Sequence, residues 1–177
     1  SDIPGDRRWR WTQGAGIETA AWPTFKGNGM AFDVDGTLLV CEQVSSCLVR
    51  IHRDGRRELV AWHLDGIYLN SPNDVVVRSD GSIYFTDPNH NIVPEQWDLQ
   101  FPGVYRLTPD LGTMSLVSDS FVAPNGLAFS PDERVLYITD SRRNHIRAFD
   151  VLPNGLLAKQ TDRVFAFRDI NPQAETH

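Results

Sequence analysis

Apolar and polar positions along this chain fall into short runs separated by Gly, Pro, Asn and Asp. Nowhere do they take the period of an amphipathic helix. The runs also recur: Asn28–Glu42 (NGMAFDVDGTLLVCE) returns as Asn73–Asp87 (NDVVVRSDGSIYFTD) and again as Asn125–Asp140 (NGLAFSPDERVLYITD). Each copy opens on Asn, runs apolar, turns on an acidic or Gly pair, runs apolar again and closes on an acid. The opening Asn residues stand 45 and 52 positions apart. That period suits four-stranded propeller blades, and among the common helical repeats only the longest approach it.

Turn dipeptides between β-rich runs mark hairpins, so each copy predicts a four-strand meander. In the first, Gly29–Phe32 and Thr37–Cys41 flank a turn at Asp33–Gly36, and Leu48–His52 and Glu58–Trp62 complete the unit. The second reads as Asp74–Val77, Ser82–Thr86, Gly103–Leu107 and Met114–Val117, with an insertion over residues 88–102. The third reads as Leu127–Phe129, Val135–Thr139, His145–Phe149 and Leu156–Gln160. Residues 1–13 read as the turn and outer strand of a further blade, with Trp9 and Trp11 packing between blades, and residues 14–27 as a connection. The expectation is an all-β propeller chain with units at roughly 1–27 (incomplete), 28–72, 73–124 and 125–177. At about 45–50 residues per blade the 177 residues hold about three to three and a half blades. Closed propellers need four or more, so the chain reads as truncated at both ends.

Composition narrows the function classes. A net charge of −6 and dispersed Arg residues give no coherent basic stripe for nucleic acid. No apolar run approaches a membrane span, and residues 1–25 lack the charged start and apolar centre of a signal peptide. This points to a cytoplasmic chain, with secretion or a periplasmic location left open because the N-terminus reads as cut. Cys41 and Cys47 lack a CxxC spacing and read as free thiols. His52, His63, His90 and His145 occupy unrelated repeat positions and lack ligand spacing. No G-x-S-x-G elbow supports a serine hydrolase.

One local motif suggests different chemistry. Phe32–Leu39 (FDVDGTLL) reproduces the aspartate-nucleophile signature of haloacid-dehalogenase-type phosphatases, in which the two Asp residues work with Mg²⁺. The same positions in the other copies read VRSDGS and FSPDER, so Asp35-Gly36 is better read as a hairpin turn. No βαβ pattern follows it.

In an antiparallel hairpin the start of the first strand and the end of the second share one end. Asn28, Asn73 and Asn125 therefore share a rim with Glu42, Asp87 and Asp140. If the first strands line the tunnel, the Asn residues converge at its mouth, where amide oxygens suit a hard cation. Against this, Asn-Gly and Asn-Asp are also ordinary turn pairs whose side chains tie down their own backbone. Asp87 and Asp140 are expected to bind nearby backbone.

Residues 70–74 (NSPND), 84–88 (YFTDP) and 124–132 (PNGLAFSPD) together resemble the gluconolactonase family, also called the senescence-marker-protein or regucalcin family. The resemblance implies a six-bladed propeller that hydrolyses sugar or related lactones with one divalent cation at the tunnel mouth. Ca²⁺ is the expected ion, with Zn²⁺ or Mg²⁺ as alternatives. Asn125 matches the family's metal-ligand Asn, and Asn73 the Asn that contacts substrate or a metal-bound water. His90 and Asn91 fall where the family places part of its substrate lid, although the usual Pro-aromatic-Gly is missing. The family's metal-binding Glu is expected upstream of Ser1, and its metal-binding Asp, also the proposed general base, beyond His177. A small lactone is the expected partner, with neither nucleic acid nor membrane, and the oligomeric state is not set by the sequence. The alternatives are a non-catalytic propeller that binds at the same mouth, a strictosidine-synthase-like or arylesterase-like relative and, remotely, the phosphatase.

Overall fold

The computed structural model describes residues 1–89, 99–158 and 163–166, the last residue by its backbone alone. Every regular element among them is a strand. A hairpin of β1 (Arg8–Thr12) and β2 (Gly16–Ala21) comes first. A meander follows in β3 (Gly27–Phe32), β4 (Leu38–Glu42), β5 (Cys47–Ile51) and β6 (Arg57–Ala61). After a short hairpin of β7 (His63–Leu64) and β8 (Ile67–Tyr68), a second meander runs through β9 (Val75–Val77), β10 (Ile83–Asp87), β11 (Gly103–Leu107) and β12 (Met114–Ser118). The third comprises β13 (Pro124–Phe129), β14 (Val135–Asp140), β15 (His145–Asp150) and β16 (Arg163–Ala166). All three are four-stranded antiparallel sheets in simple sequence order. Their first strands adjoin, with β9 between β3 and β13, and this is the blade arrangement of a β-propeller.

Local chemistry explains the tight turns. Asp35, Asp80 and Asp132 each accept the N–H two residues on, from Thr37, Ser82 and Arg134. This is the Asx turn that short acids favour. The next residue is left-handed in all three copies, at φ 78° in Gly36, 85° in Gly81 and 55° in Glu133. Glu133 takes this conformation without the freedom of glycine. Its carboxylate offsets the cost by accepting the Ser79 N–H and hydroxyl from the neighbouring blade at 2.8 and 2.5 Å. The FDVDGTLL acids are therefore turn residues: Asp35 binds Thr37, and Asp33 pairs with Arg50.

Strand alternation then sorts each blade's two faces. Ile83 and Phe85 point toward the first blade and pack with Leu39, Cys41, Leu48, Leu69 and Val75. Tyr84 points the other way, into a core with Leu127, Leu136, Ile138 and Phe149 of the third blade. Its hydroxyl donates to the Gly155 carbonyl at 2.6 Å. Phe85 is fully buried and stacks on Tyr105 at 5.3 Å between centroids. Burial of a side chain that size contributes about 2–3 kcal/mol. Cys41 and Cys47 are both buried free thiols.

Three expectations need correction. Residues 16–21, read as connection, form β2 and pair with β1. Trp9 and Trp11 are 44% and 68% exposed rather than packed between blades. The outer strand of the third blade is Arg163–Ala166, whereas Leu157 turns back at Pro153–Gly155 to bridge Val151.

Candidate functional site

The three asparagines open adjacent inner strands, and backbone irregularities set their positions. In β3 the ladder shifts register between Gly27 and Met30, and in β13 between Pro124 and Leu127. Asn28-Gly29 and Asn125-Gly126 fall in those gaps, while Asn73-Asp74 lies immediately before β9. Bulged stretches of this kind re-aim side chains at sheet rims.

Main-chain hydrogen bonds and one threonine hydroxyl hold all three close together. The Asn73 carbonyl accepts the Gly29 N–H at 2.8 Å, and its own N–H donates to the Thr86 carbonyl at 2.8 Å. The Asn125 carbonyl accepts the Thr86 hydroxyl at 2.7 Å. Asn73 is only 5% exposed, yet among the described residues neither its carboxamide nor that of Asn125 has a hydrogen-bond partner. The side chains therefore do not tie down their own backbone, as turn asparagines commonly do. His90 and Asn91 lie outside the described residues.

Asp74 is the site residue that the repeat pattern did not single out, though the signal was present: Asp stands where the other copies have Gly29 and Gly126. Its carboxylate accepts the Leu127 N–H at 3.1 Å and so ties the second blade to the third. On the other side it fills the room a side chain at Gly29 would need. A Cβ there would collide with Asp74 Oδ1 and lie 2.5 Å from its Cα. Burial raises the Asp74 carboxyl above its usual range, against the lowering effect of the Leu127 and Val75 N–H groups.

The acids at the same rim bind protein groups. Glu42 takes a two-pronged contact from Arg57 at 3.0 and 2.6 Å, and the Ser45 hydroxyl. Asp87 accepts the Asn70 and Ser71 N–H groups at 2.9 and 2.6 Å. Asp140 accepts those of Val122, Ala123 and Arg143. Two similar carboxylates are driven apart by these surroundings. Burial pushes Asp87 up to about 7, since the two N–H donors only partly counter it. Burial also acts to raise Asp140, but three N–H donors and the Arg143 guanidinium outweigh it and leave that carboxyl below its usual range.

A cleft of about 420 Å³ between β12 and β15, lined by Leu116, Ser118, Asp119, Arg147 and Phe149, shares no residue with the asparagine rim. No group of three or more His, Cys, Asp or Glu side chains that could hold a metal ion occurs among the described residues.

Residues 1–173 match the SMP-30/Gluconolactonase/LRE-like region. A gluconolactonase of Zymomonas mobilis is 31% identical over 181 residues, an alignment covering 91% of this chain and 51% of that protein. The solved structure of a gluconolactonase from Xanthomonas campestris superposes with a TM-score of 0.85 at 35% identity, covering 96% of this chain and 58% of that one. Virginiamycin B lyase from Staphylococcus aureus, at 17% identity and a TM-score of 0.65, shares the fold alone. The chain spans about a third to a half of the length of the curated relatives it matches over most of its own.

Proposed function

We propose that the full-length protein hydrolyses a small lactone, proceeding from the fact that this chain belongs to the SMP-30/gluconolactonase/LRE-like family. The observation that carries the reading is the asparagine pair. Asn73 is held by main-chain groups and the Asn125 carbonyl by the Thr86 hydroxyl, and the two carboxamides have no partner among the described residues. A carboxamide oxygen is a neutral hard ligand, so the donor type fits Ca²⁺, with Mg²⁺ or Zn²⁺ as alternatives. Bound there, such an ion would supply Lewis acidity to a lactone carbonyl and to the oxyanion that develops from it.

In this reading Asn125 gives its amide oxygen to the ion. Asn73, on the neighbouring strand, orients the substrate through its amide N–H₂ or oxygen. Ligand charge sets much of the affinity for a hard cation, and two amides contribute none. Asp87 and Asp140 are committed to backbone N–H groups. The proposal therefore gives no carboxylate among the described residues the part of general base.

The test is lactone hydrolysis by the full-length protein before and after chelation, with Ca²⁺ affinity measured by calorimetry. Chelation should abolish turnover and added Ca²⁺ should restore it. Asn125→Ala should lower Ca²⁺ affinity at least about tenfold, a loss of about 1.4 kcal/mol. Full turnover under chelator, or unchanged affinity in that variant, would overturn the reading.

A further inference from the structure

We infer that Thr86 is a positioning residue, whose hydroxyl fixes Asn125 relative to Asn73 across the seam between two blades. This rests on the reading of the asparagine pair given above. Thr86 is the penultimate residue of β10 and is fully buried. Strand alternation turns its side chain away from the first blade and toward the third, on the same face as Tyr84.

The hydroxyl has one proton to give and lone pairs to receive with, and both capacities are used. It donates to the Asn125 carbonyl at 2.7 Å and accepts the Asp74 N–H at 3.1 Å. The Thr86 main chain completes the clasp: its carbonyl accepts the Asn73 N–H, and its N–H donates to the Asp74 carbonyl at 3.0 Å. One side chain thus joins the peptide of one site asparagine to the carbonyl of the other.

Two comparisons within the chain show that this is specific to Thr86. The residue before the closing acid is Cys41 in the first copy and Thr139 in the third. Thr139 donates to the Gly126 carbonyl at 3.3 Å, within its own blade. Cys41 is buried in the apolar core. Asn125 also needs an external tie, because it lies where β13 is out of register with β14 and no ladder pair fixes it. A second tie across the same seam, from the Leu127 N–H to Asp74, does not depend on Thr86. Loss of the hydroxyl should therefore loosen the asparagine pair while the blades stay docked.

The experiment uses the full-length protein with Thr86→Val, which keeps shape and β-branching, and Thr86→Ser, which keeps the hydroxyl. Ca²⁺ affinity is read by calorimetry, alongside thermal melting and lactone KM and kcat. Thr86→Val is expected to weaken Ca²⁺ binding about tenfold, while Thr86→Ser stays within about twofold of the parent and Thr139→Val is unchanged. A lower melting temperature with parental Ca²⁺ affinity would make the hydroxyl merely structural and overturn the inference. If the valine variant does not fold, Thr86→Cys substitutes the side chain used at that place in the first repeat. Weakened binding then supports the inference and parental binding overturns it. Asn125→Ala separates the two levels. If it loses Ca²⁺ while Thr86→Val does not, only the positioning role falls. If it binds Ca²⁺ like the parent, the ligand reading falls and takes the positioning role with it.

Discussion

Asp87 offers the sharpest physical test, because its carboxylate is fully buried and no cation among the described residues is paired with it. Its pKa rises from 3.8 to about 7, chiefly by desolvation, against the two N–H donors of Asn70 and Ser71. A raised folded-state value means that the folded protein holds a proton the unfolded chain gives up. The stabilisation is therefore fully present below pH ~4 and lost as the pH climbs through 7. At about 1.4 kcal/mol per pH unit, the whole shift corresponds to about 4 kcal/mol, and the span from pH 5 to 8 to about 2–3 kcal/mol. The relevant measurement is denaturant unfolding of the full-length protein at pH 5, 6, 7 and 8, parent against Asp87→Asn. The amide cannot ionise, and its N–H₂ must face one of the two donors, so at pH 5, where the parent carboxyl is mostly protonated, the variant should be the less stable by about 1–3 kcal/mol, a gap that closes or reverses toward pH 8. Its pH slope, however, should flatten by about 2–3 kcal/mol relative to the parent. Asp74 is also raised by burial and contributes to the slope in both proteins, so the difference isolates Asp87. The carboxyls held low, such as Asp35, Asp132 and Asp140, lose their contribution only as the pH falls below their usual range, outside this window. Identical slopes in parent and variant would refute the argument.

The seam between the first two blades gives a steric prediction. Gly29→Ala should cost about 2–4 kcal/mol, because its Cβ would lie 2.5 Å from the Asp74 Cα and 2.7 Å from the Asn73 carbonyl. Gly126→Ala, whose Cβ would meet nothing closer than the Thr139 hydroxyl at 3.6 Å, should cost less than about 1 kcal/mol. Equal shifts in denaturation midpoint would contradict the geometry. Arg57→Met should leave the buried Glu42 carboxylate, among the described residues, with hydrogen bonds from only Ser45 and Cys47 and the more distant charge of Arg8, and destabilise by about 2–3 kcal/mol, since Arg57 itself is one-third exposed. Adding Glu42→Gln to that variant should recover part of the loss, and a double variant no better than Arg57→Met alone would argue against a charge penalty.

What could be read from the sequence was whatever each repeat does within itself. The Asp-Gly turns signal themselves because a short acid and a left-handed residue are local requirements, and the inner strands because they alternate between two buried faces. Outer elements were harder to place. RVFA in β16 carries exposed Val164 and Phe165, so its pattern does not distinguish core from solvent. In the GIETAA run of β2, every residue but the last is exposed. Leu156-Leu157 looked like a strand because it is apolar, yet the Gly155 turn at φ 79° folds it back on Val151. At the site, Asn73 and Asn125 were legible as a periodic residue. Asp74 was marked only by its departure from the Gly of the other copies and Thr86 not at all, because their partners belong to the neighbouring repeat, 53 and 39 positions away.

The rim acids show how repetition and function separate. Asp87 and Asp140 hold the backbone entering their own blade, at Asn70-Ser71 and Val122-Ala123. Glu42, one methylene longer, reaches Arg57 instead. The segment entering the first blade then needs another acceptor, and Asp6 supplies it by taking the Thr24 and Lys26 N–H groups. The same requirement is met in every blade, by different residues where the side-chain length changes. A position that recurs with its chemistry intact therefore reports what every blade needs in order to stand. The informative departures are the ones that no blade needs for itself: Asp in place of Gly at position 74, and a hydroxyl at Thr86 that bonds across to the next blade. Both converge on Asn73 and Asn125, which makes this seam, rather than the acid-rich turns, the place where substitutions should change the proposed cation binding before they change folding.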